Sequence, residues 1–126
     1  MEKKECVFGV AENAVDVDSM WNCITSSLTQ QPVEIETVRL DGNNGVWFLA
    51  SFRLNEILID NAVHNQPTNI HQQRRISKTE FKTIFPYYFQ WKSGTCPRNV
   101  IRDMPDKNTS YIFAIIEYFL KKYGNY

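Results

Sequence analysis

The stretch Val33-Glu-Ile-Glu-Thr-Val-Arg-Leu40, Asp41-Gly-Asn-Asn-Gly45, Val46-Trp-Phe-Leu-Ala-Ser-Phe-Arg-Leu54 decides how this chain folds. Both outer runs are rich in β-branched and aromatic residues, which suit a half-buried pleated surface. The cluster between them is built from Asp, Asn and Gly, the residues that tolerate positive φ, so the whole reads as an antiparallel hairpin. With Leu40 opposite Val46, counting outward places Val46, Phe48, Ala50, Phe52 and Leu54 on one face with Leu40 and Val38. Trp47, Leu49, Ser51 and Arg53 then share the other face with Arg39 and Thr37. The first set is expected to face the core. Arg39 would stand opposite Trp47, where a guanidinium can stack on the indole. A bulge would exchange the two faces. Ile57-Leu-Ile59, within 56–60, marks a candidate third strand.

Helical patterns flank the hairpin. Val17, Met20, Trp21, Ile24 and Leu28 recur at the spacing of one helical face, behind a cap at Asp16 or Asp18 and ahead of Pro32. Ser77-Lys-Thr-Glu80 is a capping box that opens a helix carrying Phe81, Ile84, Phe85, Tyr88 and Phe89 inward. Pro86 is expected to kink or split that helix, and Gly94 to end it. Asn108 or Thr109 caps a last helix through Tyr123, with Ile112, Ile115, Ile116, Phe119 and Leu120 on its apolar face. Gly124 is its expected stop. The fold class is therefore α+β: an N-terminal helix, an antiparallel hairpin with a candidate third strand, and two C-terminal helices packed on the sheet, in one domain over 1–126.

Composition narrows the class. With 126 residues, 43% hydrophobic and 13% aromatic, the chain can bury a core and does not read as disordered. No apolar run approaches the roughly 20 residues that span a bilayer, and the start, Met1-Glu-Lys-Lys-Glu-Cys-Val-Phe8, has no apolar h-region, so a cytoplasmic protein without a membrane partner is expected. Cys6, Cys23 and Cys96 have no metal-type spacing and read as reduced thiols, with an intermolecular disulfide as the lesser alternative.

Catalytic patterns are missing. His64 and His71 lie in the polar stretch 61–75, and with Cys96 they lack the short paired spacing of a zinc site. Neither a Gly-x-Ser-x-Gly elbow nor a phosphate-binding glycine loop can be written. Glu34/Glu36 and Asp16/Asp18 have structural reasons to sit on a strand and at a helix start. No catalytic residue, metal or cofactor is assigned.

Charge offers a better lead. Residues 1–63 hold four basic and ten acidic side chains, net −6, and residues 64–126 hold ten basic and four acidic, net +6. The halves either interleave on folding or leave an anion-binding face. Arg74 and Arg75 directly precede the Ser77 helix, and Lys78 and Lys82 sit one turn apart on it. Cations there oppose the helix dipole, and an external anion would reverse that cost by meeting N–H groups and guanidinium forks together. Arg74, Arg75, Ser77, Lys78 and Lys82 are therefore a candidate site for an anionic partner or nucleic acid, although a pI near 6.7 is low for the latter. The bland alternative is a solvated surface paired with Glu80 or the acidic half. The aromatics Tyr87, Tyr88 and Trp91 after Pro86 are a second candidate, as a pocket or an interface, against the alternative that they are simply core. Aromatics left exposed would be covered in a homodimer.

One resemblance adds a setting. Ile76-Ser-Lys-Thr-Glu-Phe81, Tyr87-Tyr88, Trp91-Lys-Ser-Gly94 and Asn108-Thr-Ser-Tyr-Ile112 together resemble a C-terminal helical pattern in small uncharacterised bacterial proteins of the integron gene-cassette type. The pattern spans roughly residues 76–120, about a third of the chain. It implies a bacterial, mobile-element setting and no established activity, so no functional residue is carried over. The function expected is a non-enzymatic binding or interaction protein, self-associating, with a basic anion-accepting corner; a nucleic-acid-binding accessory protein and a small-molecule pocket protein or unrecognised enzyme are the alternatives.

Overall fold

The protein, described by a computed structural model over residues 16–37, 45–65, 72–94 and 108–123, starts with helix α1 at Val17–Gln30. The Asp16 carboxylate caps it by accepting from the Ser19 amide at 3.0 Å and from the Ser19 hydroxyl at 2.6 Å. Those bonds hold the Asp16 carboxyl below its usual pKa. Met20, Trp21, Ile24 and Leu28 are buried as their spacing predicts. The helix stops at Gln30, one residue after which Gln31 turns to extended backbone ahead of Pro32.

Strands β1 (Val33–Glu36), β2 (Trp47–Arg53), β3 (Glu56–Asn61) and β4 (Arg74–Ile76) follow, then helices α2 (Lys78–Ser93) and α3 (Thr109–Tyr123). The strands form one antiparallel sheet in the order β1-β2-β3-β4. The candidate third strand is present, and a fourth, β4, lies in the stretch read as loop. Three residues with two arginines carry no strand pattern of their own; β4 exists because β3 offers it an edge.

The hairpin register differs from the expected one by three residues. Ile35 stands opposite Phe48 and Glu36 opposite Trp47, and the pairing closes where the Thr37 amide donates to the Val46 carbonyl at 2.8 Å. Phe48 and Ala50 face the core as expected, but their β1 neighbours are Ile35 and Val33. Val38, Arg39 and Leu40 lie outside the described residues, and Trp47 has Glu36 as its cross-strand neighbour. The base of the hairpin is tight. The Gly45 amide donates to Glu36 Oε2 at 2.9 Å, and a Cβ on Gly45 would lie 2.1 Å from the Thr37 carbonyl oxygen.

Leu54, expected on the core face, is instead 76% exposed. It and Asn55 form the two-residue turn between β2 and β3, with φ of 56° and 67°. A two-residue hairpin turn of type I′, which matches strand twist, needs positive φ at both central positions. Closure of β2 on β3 overrides the leucine's preference, at an expense of about 1–2 kcal/mol. Val46, also expected inward, sits at the strand entrance and is 39% exposed.

One core joins these elements. Ile35, Phe48, Ala50, Ile57, Ile59 and Ile76 supply the sheet's buried face, and Phe81, Ile84, Phe85 and Tyr88 come from α2. α3 is buried nearly all round, with Ile112, Ile115, Ile116 and Phe119 joined by Phe113 and Leu120. α1 packs on β2 and α2, while α3 packs on α2 and β1.

α2 runs unbroken through Pro86, contrary to a split. Proline removes the donor toward the Lys82 carbonyl and crowds that carbonyl with its ring, but both Pro86 and Lys82 face solvent, where water can take the lost bond. Gly94 ends α2 in the left-handed conformation at φ 80°, as its position suggests. Gly124 lies outside the described residues.

Cys23, expected as a reduced thiol, is disulfide-bonded. It is the cysteine of α1 within the core, and its partner lies outside the described residues. With three cysteines in the chain, alkylation of denatured, unreduced protein should add one label. Prior reduction should raise that to three, read by intact mass; three labels without reductant would mean that the bond does not form.

Candidate functional site

The strand that brings Arg74 and Arg75 out of the loop also separates them. Successive residues of a strand point to opposite faces. Arg74 shares the inward face with Ile59, while Arg75 shares the outer face with Leu58. The Arg74 guanidinium lies over the Tyr111 ring, 5.6 Å from its centroid, and donates to Asn108 Oδ1 at 3.5 Å. Arg75 pairs with Glu56 at 3.4 Å on the other side of the sheet. Lys78 and Lys82 both reach Asp18 on α1, at 3.4 and 3.5 Å. Ser77 accepts from the Glu80 amide at 3.1 Å, as the capping box requires. Asn108 ties the corner to α3 by donating to the Arg75 carbonyl at 3.1 Å and to Glu80 Oε2 at 2.9 Å.

The four cations of the basic corner thus occupy three separate settings. Three of their ion pairs, Arg75–Glu56, Lys78–Asp18 and Lys82–Asp18, join the basic half of the chain to the acidic half. All are surface pairs, each contributing under about 1 kcal/mol.

The polar stretch after β3 is pinned from the opposite sheet edge. Glu34 Oε2 accepts from the Val63 and His64 amides at 2.7 and 2.8 Å, and Oε1 accepts from Asn65 Nδ2 at 2.7 Å. Desolvation pushes the Glu34 carboxyl up, but these bonds outweigh it and hold the group below its usual range. Glu34 therefore has a structural role. His71 and Cys96 lie outside the described residues. Among the described residues, no three His, Cys, Asp or Glu side chains converge on one point, and no helix is long and apolar enough to cross a membrane.

The second candidate, the aromatic group, leads to the most chemically distinctive place in the fold. Tyr88 is buried, and its hydroxyl donates to Glu117 Oε1 at 2.6 Å. Trp91 packs behind it against Phe113, with ring centroids 4.9 Å apart. Tyr87 is half-buried against the core. Among the described residues, no aromatic side chain is fully exposed.

Glu117 is the feature that sequence reasoning missed. Its side chain is 10% exposed, yet Lys92 Nζ lies 2.7 Å from Oε1 and Lys121 Nζ lies 3.0 Å from Oε2. Burial raises the carboxyl pKa, but the bonds from Lys92, Tyr88 and Lys121 outweigh it and bring it down to about 2. The cluster lines a cleft of about 200 Å³ between α2 and α3, whose walls are Tyr88, Phe89 and Leu120. A signal was present. Phe113, Glu117 and Leu120 are spaced i, i+4, i+7, so a charge interrupts a second stripe of α3, and Lys121 follows at i+4. What could not be read was Lys92, which comes from another helix.

Chemically, this cluster gathers two ammonium groups and a phenol hydroxyl on one carboxylate. A carboxyl with a pKa of about 2 is ionised at neutral pH and is a poor base there. Two ammonium groups against one carboxylate leave one unit of positive charge beside an apolar wall. Compared with known proteins, the chain matches no protein-family model, no curated protein and no solved structure.

Proposed function

We propose that this chain is a non-enzymatic binding protein whose ligand occupies the cleft between α2 and α3. The observation that carries the reading is the Glu117 cluster, a buried carboxylate bracketed by two lysines and a tyrosine at an apolar cleft. Ligand sites commonly combine apolar walls with a few convergent polar groups. The low Glu117 pKa supports binding over acid–base chemistry.

Protein-observed NMR with a library of small acids, amines and neutral compounds tests this. Binders are expected to shift amides within 88–93 and 117–121. Ser93, exposed at the rim of the cleft, is the position for a blocking variant, and Ser93→Trp should abolish binding with little change in melting temperature. Binders that persist in Ser93→Trp, or no binders at millimolar concentration, would overturn the reading.

A second reading places an anionic partner or nucleic acid on the basic corner, alone or in a self-associated form. It is supported by Lys78 and Lys82 sharing the single carboxylate of Asp18, in pairs that an incoming phosphate can displace. Arg74 and Arg75 on opposite faces of β4 count against it. As for setting, the Cys23 disulfide counts for an oxidising compartment over the cytoplasm. The gene-cassette resemblance carries no activity and does not bear on the ligand.

A further inference from the structure

We infer that the cleft selects a single-ring aromatic monocarboxylate, with the carboxylate on Lys92 and Lys121 and the ring against Phe89 and Leu120. This rests on the cleft being the ligand site and adds the chemical class.

Size comes first. The cleft holds about 200 Å³. Drug-sized ligands occupy roughly 300–1,000 Å³, whereas a cavity of about 150 Å³ accommodates benzene. One ring with a small substituent fits.

Charge sets the substituent. Each ammonium carries three donors, and Glu117 takes one from each at 2.7 and 3.0 Å. The lysine side chains are 43% and 68% exposed, so their other donors are within reach of an incoming group. The two lysines sit on different oxygens of Glu117, one from each helix, and both line the cleft, so a second carboxylate there can meet both. One uncompensated positive charge matches a monoanion. A dianion would exceed it, and a cation would be repelled.

The walls favour a ring over an alkyl chain. Tyr88 and Phe89 line the cleft and already meet edge to face, with centroids 5.0 Å apart. Such rings gain from a third aromatic placed edge-on or offset, beyond the area buried. Glu117 does not touch the ligand in this arrangement; it positions the two lysines.

Titration of the full chain with benzoate, benzamide and cyclohexanecarboxylate, followed by NMR at low salt, tests the class. Benzoate is expected to bind with a Kd on the order of 1 mM, about three- to fivefold tighter than neutral benzamide. It should also bind more tightly than the saturated acid. In Lys121→Met, which keeps the apolar stem and removes the charge, benzoate should weaken to the level of benzamide while benzamide itself is unchanged. Equal binding of benzoate and benzamide, or an unchanged preference in Lys121→Met, would overturn the carboxylate assignment. Tighter binding of cyclohexanecarboxylate would overturn the aromatic one. In each of these cases loss of binding in Ser93→Trp would leave the cleft intact as the site. Absence of binding by all three compounds would overturn the assigned class, whereas an empty library screen, or binding that persists in Ser93→Trp, would remove the cleft as well.

Discussion

Ile35→Ala is expected to destabilise the fold by about 2–5 kcal/mol, and Phe48→Ala by about 3–5 kcal/mol, while Leu49→Ala should cost no more than about 1 kcal/mol. Ile35 is 2% exposed and Phe48 fully buried, and they stand opposite one another across β1 and β2. The Phe48 ring also meets Tyr111 edge-on at 5.0 Å, so truncation empties space between the sheet and α3. Leu49 is half-buried on the other face, between Glu34 and Asp60. The cost of a large-to-small change is the lost transfer energy plus the cavity the surroundings cannot close, and both are large only on the inner face. Ile35 is the diagnostic position. With Leu40 opposite Val46 it would share the outer face with Thr37, and its truncation would be mild. Urea unfolding midpoints for the three variants decide between the registers; a near-neutral Ile35→Ala would mean that the observed pairing is wrong.

The second large effect is expected at Glu117. Glu117→Gln should lower stability at pH 7 by about 1–3 kcal/mol, since hydrogen bonds to a charged group are lost at a buried position. Its pH dependence is more specific. The carboxyl falls from an ordinary 4.5 in the unfolded chain to about 2 in the fold. Unfolding at low pH therefore takes up a proton, and the stabilisation from this group is complete above about pH 4.5 and lost as pH falls toward 2. Discounted for the half-exposed lysines, that titration accounts for about 1–2 kcal/mol. Wild type and Glu117→Gln should therefore converge as pH drops from 5 to 2.5. A gap that stays constant over that range would show that the ion cluster does not contribute as described.

Parts of this protein are legible locally. The α1 stripe from Met20 to Leu28, the Asp16 cap, the Ser77 box and the Gly94 stop each depend on residues within one or two turns. Their physics is complete in the segment, so reading the segment is enough. The hairpin is a mixed case. In Val33-Glu-Ile-Glu36 the apolar residues are odd-numbered, and in Thr37-Val-Arg-Leu40 they are even-numbered. Two inward phases were therefore written into one run. The register expected from the turn took the second, while the described pairing uses the first, which buries Ile35 and leaves Glu34 and Glu36 out of the core.

By itself, then, the sequence determined the α+β class, the helix bounds and most of the core, because periodicity and capping act between near neighbours. Only the tertiary structure decided the rest. β4 needs the edge of β3, and once it pairs, pleating sends Arg74 and Arg75 to opposite faces and dissolves their expected partnership. Tyr88 and Lys92 find Glu117 across 29 and 25 residues of chain. No local pattern encodes such a meeting. It follows from packing α2 against α3, which buries a carboxylate and brings Tyr88 and Lys92 from the other helix to join Lys121 of its own in keeping it charged.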